Sequence, residues 1–73
     1  MMRVRVLNEL SRRLYERGWS DSALAARTGL SRLRVNRIKN RRIRPTVRDA
    51  LVISRALGVR VRAVFRLVDE AEL

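Results

Sequence analysis

The spacing of apolar residues along the chain predicts a series of helices separated by glycines. In the first segment the apolar residues recur every three or four positions, at Val4, Leu7, Leu10 and Leu14. This spacing places them along one side of a helix, which we predict from about Arg3 to Arg17 and ending at Gly18. That side of the helix is expected to pack against a core.

Two shorter helices are predicted next, joined by a three-residue turn. Ser20 is suited to cap the first of them, which covers Asp21–Thr28 and carries its acidic residue in the first turn. The turn Gly29–Ser31 follows, and the hydroxyl of Ser31 can cap a third helix over about Arg32–Asn40.

The remaining chain predicts an extended segment and two more helices. Ile43–Pro45 should be extended, because the residue before a proline is disfavoured in the helical region. Thr46 and Asp49 form a capping box for a fourth helix, which is apolar nearly all round, ends at Gly58 and is expected to be buried. A last helix is predicted over about Val61–Val68 because its apolar residues share one stripe.

These five helices imply an all-α fold in one domain that covers residues 1–73, with a short acidic end at residues 69–73. The 73 residues include only one proline and three glycines, and so few helix-breaking residues favour helices over strands. The aromatic residues are only Tyr15, Trp19 and Phe65, so the small core is expected to be mainly aliphatic.

Positive charge is the strongest compositional feature of the chain. The formal net charge is +11, and the stretch from Arg27 to Arg48 holds nine cations and no carboxylate. A run of charges is often a solvated helix face, but like charges without acidic neighbours destabilise an isolated helix. A polyanionic partner is therefore expected, with nucleic acid as the first candidate and an anionic membrane surface as the second.

The absence of two residue types argues against several kinds of catalytic and metal site. The chain has no cysteine and no histidine, so it lacks thiolate zinc ligands and the commonest general base. We therefore expect no enzymatic activity, no metal site and no cofactor. The first ten residues do not form a signal peptide, and no segment approaches the length of a membrane span, so a cytoplasmic location is expected.

The third predicted helix has two chemically distinct sides. At helical spacing Val35 and Ile38 face the core, whereas the opposite side carries Leu33, Asn36, Arg37 and Asn40. Arginine and asparagine side chains bind guanine and adenine edges in a major groove, and an aliphatic group contacts the thymine methyl. The flanking arginines suit phosphates, and they are Arg32, Arg34, Arg41, Arg42 and Arg44.

The order of several short motifs resembles one family of DNA-binding proteins. The motifs are ALAARTGLS, VNRIKN, a proline before Thr46, and ALGV near the last predicted helix. Together they resemble the Cro/cI-like, or XRE-like, phage-repressor family of helix-turn-helix proteins over about residues 10–65. The resemblance implies a compact five-helix, lambda-repressor-like domain that binds operator DNA, usually as a dimer on a palindrome.

The resemblance also implies roles for individual residues. Base contacts would fall on Arg32, Leu33, Asn36 and Arg37. Phosphate contacts would fall on Ser31, Arg34, Asn40, Arg41 and Arg44, and Arg42 joins them as a flanking cation. This assignment agrees with the two sides of the third helix.

The sequence departs from the family pattern at four positions. Asp21 stands where a glutamine often donates to a phosphate, and its carboxylate would repel one. Arg41 stands where glycine is common, so either its backbone is strained or the loop differs. Arg60 stands where a capping serine is usual. Trp19 replaces a common aliphatic residue and is expected to be a larger core residue.

The predicted function is therefore a sequence-specific regulator of transcription, acting as a repressor on double-stranded DNA. One alternative is an antitoxin that represses its own operon and holds a toxin, although the short end after Phe65 leaves little surface for a toxin. Another alternative is a binder of nucleic acid or anionic membrane without sequence preference. A homodimer would form through the predicted last helix or through the loop after the third helix, and the last helix offers Val61, Val64, Leu67 and Val68 as apolar surface.

Overall fold

A computed structural model describes residues 4–69 of the chain. Within that part, four α-helices follow a first strand and precede a second one. The strands are β1 (Val4–Asn8) and β2 (Phe65–Asp69), and the helices are α1 (Leu10–Arg17), α2 (Asp21–Thr28), α3 (Arg32–Lys39) and α4 (Val47–Leu57). A single 3-10 turn, Val61–Ala63, lies between α4 and β2. None of these helices is long and apolar enough to cross a membrane.

The predicted capping residues begin three of the helices. The Ser20 hydroxyl accepts the backbone N–H of Ala23 at 3.1 Å, and the Ser31 hydroxyl accepts that of Arg34 at 3.1 Å. Thr46 and Asp49 form the predicted capping box at the start of α4. These caps satisfy backbone donors that a helix start leaves unpaired, which confirms α2, α3 and α4 close to their predicted bounds.

The prediction of an all-α, five-helix fold is wrong at both ends of the described chain. Residues 4–8 and 65–69 form an antiparallel two-stranded sheet, with Val4 opposite Asp69 and Asn8 opposite Phe65. The first predicted helix therefore begins only at Leu10, and the last one is reduced to the 3-10 turn. Residues 70–73 of the predicted acidic end lie outside the described residues.

The error has a physical reason. The segment is ambiguous, because Val4 and Leu7 have the spacing of a helix whereas β-branched Val4 and Val6 alternate with Arg5 as in a strand. What decides between the two is the partner strand, which lies about sixty positions away in the sequence. A local pattern carries no information about that partner.

The core is small and lies between the helices and the end of the sheet where Asn8 pairs with Phe65. Its nine buried apolar residues are Leu10, Leu14, Leu24, Val35, Ile38, Ile53, Leu57, Val64 and Phe65. Trp19 packs against this cluster, as predicted, and the Arg27 guanidinium lies 4.1 Å from its ring centroid. The prediction that α4 is buried holds for one side of the helix, where Ile53 and Leu57 lie in the core, whereas Val47 and Leu51 are exposed on it.

Asn8 joins the sheet to the helices. Its side-chain amide donates to the carbonyl of Ile38 at 2.8 Å, and its side-chain oxygen accepts the backbone N–H of Leu10 at 3.0 Å. One residue on, the N–H of Glu9 donates to the carbonyl of Val64 at 2.8 Å. Because Asn8 itself is buried, these bonds fix β1 against both the start of α1 and the end of α3.

A partly buried ion pair fixes α3 against α4. The Arg34 guanidinium donates to both carboxylate oxygens of Asp49, at 2.9 and 2.6 Å. The Asp49 side chain is 4% exposed. Arg34 holds the pKa of Asp49 down at about 2, against the opposing effect of burial and with help from the Thr46 backbone and hydroxyl. The carboxylate therefore stabilises the fold in its ionised form.

We predict that Asp49→Asn lowers the free energy of unfolding by roughly 2 kcal/mol near neutral pH, because it removes the charge that Arg34 stabilises. The folded-state pKa lies below the usual value of 3.8. The stabilisation is therefore complete above about pH 4 and is lost as the pH falls towards about 2. Urea unfolding at several pH values measures this difference.

Glu16→Gln is the matched control, because Glu16 belongs to an exposed ion pair with Arg12. Its effect should stay below about 1 kcal/mol at every pH. If Asp49→Asn instead destabilised the protein equally at about pH 7 and about pH 2.5, the ion pair would not be the cause.

Candidate nucleic-acid interface

Helix α3 presents one side to the core and the other to solvent. Val35 and Ile38 are fully buried, which confirms the predicted core-facing side. On the opposite side Leu33 is 57% exposed, and Arg37 is exposed as well. An exposed leucine beside an exposed arginine makes no contribution to the core, so this side is available to a partner.

The connection between α2 and α3 is fixed by local hydrogen bonds. Gly29 ends α2 with a φ of 79°, and its N–H donates to the carbonyl of Ala25. The Thr28 hydroxyl accepts the N–H of Leu30 at 3.2 Å, and Leu30 packs against the core. With Ser31 capping α3, the turn sets the direction in which α3 leaves α2. This is the arrangement in which one helix supports another at a surface.

Asp21 links the start of α2 to the side of α3. Its carboxylate accepts the Asn36 amide at 2.9 Å and the Lys39 ammonium at 2.8 Å. Burial raises the pKa of Asp21, but the hydrogen bonds from Lys39 and Asn36 outweigh that effect and leave the pKa lowered. The carboxylate that was expected to repel a phosphate is thus neutralised by Lys39 within the protein.

Several predicted contact residues already have partners within the protein. Asn36 is held by Asp21, Arg34 is held by Asp49, and the Ser31 hydroxyl caps α3. One Arg41 guanidinium nitrogen donates to the carbonyl of Asn8 at 3.2 Å.

The other predicted contact residues are exposed and form no side-chain hydrogen bond or ion pair within residues 4–69. They are Arg32, Leu33, Arg37, Asn40, Arg42 and Arg44. These side chains lie along the outer side of α3 and the segment after it, so the structure brings them to one region of the surface. Sequence reasoning missed Asp21 and Asp49 as internal partners, because each lies fifteen positions from the residue it binds.

The segment after α3 contains a strained residue. Arg41 has a φ of 61°, close to the 67° of Gly18 and Gly58, which follow α1 and α4. The N–H of Arg42 donates to the carbonyl of Arg37 at 2.8 Å, and the N–H of Arg41 to that of Ile38. This is the left-handed helix ending that normally uses glycine. Of the two alternatives that the sequence left open at Arg41, the structure has the strained backbone, at a cost of about 1–2 kcal/mol.

The buried Asp49 and the partly buried Asp21 leave most of the positive charge at this surface unpaired. Asp49 neutralises Arg34, and Asp21 neutralises Lys39. Arg37 and the arginines at positions 41, 42 and 44 have no carboxylate partner in the described part of the chain, and Arg32 has only a Coulombic interaction with Asp21. A concentration of guanidinium groups beside an exposed helix side attracts a polyanion.

Comparison with known protein families gives a match over most of the chain. The sequence profile of a helix-turn-helix family matches residues 10–64 of the chain. No curated protein sequence matches the chain significantly. The matched segment begins with α1 and ends one residue before β2, so both strands of the sheet lie outside it.

The family match covers α2, the Gly29–Ser31 turn and α3, which form the two-helix arrangement described above. It also covers the positively charged segment after α3. The chain therefore belongs to the Cro/cI-like (XRE) helix-turn-helix family, a family of DNA-binding transcription regulators.

Proposed function

We propose that this protein is a sequence-specific regulator that binds double-stranded DNA and represses transcription by occupying an operator. It acts by binding alone, without catalysis or a cofactor, in the cytoplasm. The observation that carries the proposal is the orientation of α3, which buries Val35 and Ile38 and exposes Leu33 and Arg37. A helix supported in this way can enter a major groove with its outer side against the bases.

Recognition of bases is assigned to four side chains of α3. Arg37 and Arg32 carry the planar donors that bind guanine, and Leu33 suits the thymine methyl group. Asn36 donates one amide hydrogen to Asp21. The second hydrogen and the amide oxygen are left to bind adenine, with the amide plane already oriented by Asp21.

Phosphate contacts are assigned to the ends of α3 and to the segment that follows. They are Ser31, Arg34, Asn40, Arg41, Arg42 and Arg44. Arg34 keeps its ion pair with Asp49 and reaches a phosphate through its remaining donors, since its side chain is 37% exposed. Phosphate contacts of this kind fix register without carrying sequence information.

We also propose that the protein binds a palindromic operator as a homodimer. The helix expected to form the dimer interface is absent from residues 61–69, but exposed apolar side chains are present nearby. Leu67 on β2 is 72% exposed, and Val47 on α4 is 79% exposed. Sedimentation with and without duplex DNA tests whether two copies associate.

We predict that DNA binding weakens steeply with salt. If about five phosphates are neutralised by each subunit, log K should fall against log salt with a slope of about −4 to −5, doubling for a dimer. Fluorescence anisotropy over a range of salt concentrations measures the slope. A slope near zero would contradict binding through phosphates.

We predict that Arg37→Ala costs about 1–3 kcal/mol of binding free energy on a selected operator and relaxes the preference at one base pair. Arg44→Ala is the matched control, because it removes a cation assigned to phosphate and should weaken all sequences alike. Selection from random duplexes, followed by affinity measurements, gives both results.

The same selection tests the function as a whole. Enrichment of a defined motif supports a sequence-specific regulator, and its symmetry and half-site spacing report on the homodimer. Equal affinity of the protein for selected and random duplexes would contradict the proposal and leave a binder without sequence preference.

A further inference from the structure

A cleft lies between β1 and the segment that connects α3 to α4. It has a volume of about 650 Å³, and Val4 and Val6 are among its apolar lining. Four arginines line it as well, namely Arg5, Arg41, Arg42 and Arg44, and none of its lining residues within positions 4–69 is a carboxylate. We call this site the β1 cleft. Its charge is suited to an anion that can approach several guanidinium groups.

The pairing of β1 with β2 positions Arg5 at the β1 cleft. Arg5 lies opposite Val68 in the sheet, and Asn8, three positions on, bonds to the last turn of α3 through the carbonyl of Ile38. The Arg41 guanidinium donates a hydrogen bond to the carbonyl of Asn8. These two bonds hold β1 beside the end of the helix assigned to the major groove.

The conformation of Arg41 gives a second, independent observation. Glycine occupies the equivalent left-handed position after α1 and α4, whereas arginine occupies it after α3. A strained non-glycine residue that persists in a cleft points to a function for its side chain. In the β1 cleft that side chain adds a cation beside three others.

We propose that the β1 cleft binds phosphates of the DNA backbone, and that Arg5 extends the DNA-binding surface from α3 onto the sheet. The proposal rests on the proposed function. Arg5 lies outside the family match, which begins at residue 10, whereas the other three arginines of the cleft lie inside it. Arg41 and Arg42 of the cleft follow the end of α3 within three residues, so a phosphate bound in the cleft would lie next to the contacts assigned to α3.

The test compares Arg5→Gln with Arg55→Gln on the selected operator. Both variants lose one positive charge, but Arg55 is exposed on α4 and lies outside the β1 cleft. Arg5→Gln should weaken binding on the order of 3- to 10-fold at low salt and reduce the slope of log K against log salt by about 1. Arg55→Gln should leave the slope unchanged.

Phosphate ethylation interference locates the contact. With the wild-type protein, ethylation of one phosphate should interfere with binding. This interference should be lost with Arg5→Gln and kept with Arg55→Gln.

Arg41→Gly provides a second variant that removes a cleft cation while relieving backbone strain. It should bind DNA several-fold more weakly with its urea midpoint preserved, which separates a lost contact from a lost fold.

The outcomes distinguish this proposal from the function on which it rests. If the wild-type protein selects a motif and Arg37→Ala relaxes it, but Arg5→Gln changes neither the slope nor the ethylation pattern, the β1 cleft does not bind the backbone. A weaker affinity with an unchanged slope would also overturn the proposal, because it would indicate a purely structural role. If the wild-type protein selects no motif, the proposed function itself fails.

Discussion

The structure depends on the burial of Val35 and Ile38, which attaches a strongly basic helix to a core of nine buried apolar residues. Each fully buried aliphatic side chain contributes about 1.5–3 kcal/mol, a large share of the stability expected for so small a domain. Because both residues lie on one side of α3, their burial also determines which residues remain outside. The same contact therefore stabilises the fold and exposes Leu33 and Arg37.

Charge compensation is the second constraint, because a helix with four cations and no acid of its own repels itself. The protein places Asp21 and Asp49 on neighbouring helices, where each neutralises one cation of α3. Arg37 is left uncompensated at the outer surface, and Arg32 is compensated only by its Coulombic interaction with Asp21. The two aspartates thus make the helix stable enough to pack without removing the charge that a polyanion requires.

Sequence reasoning succeeded where the information is local. Caps at Ser20, Ser31 and Thr46 and the apolar spacing of Val35 and Ile38 fixed the central helices, because each signal lies within four residues of its effect. It failed for the sheet, whose strands are defined by each other across most of the chain. The partners of Arg34 and Asn36 were not predicted for the same reason. The charges along the sequence do not show which aspartate lies beside which helix. The predicted contact residues on α3 and after it remain predictions, although the structure shows which of them are exposed.

The antiparallel sheet has a consequence for the connectivity of the chain. Val4 and Asp69 are paired neighbours, so the two ends of the described chain meet at one edge of the molecule. A short linker could join them, and new termini could then be opened at an exposed turn such as the one near Arg60, giving a circular permutant with the same helices in a different order. Closing the backbone into a ring would also reduce the conformational freedom of the unfolded chain, and so would favour the folded state.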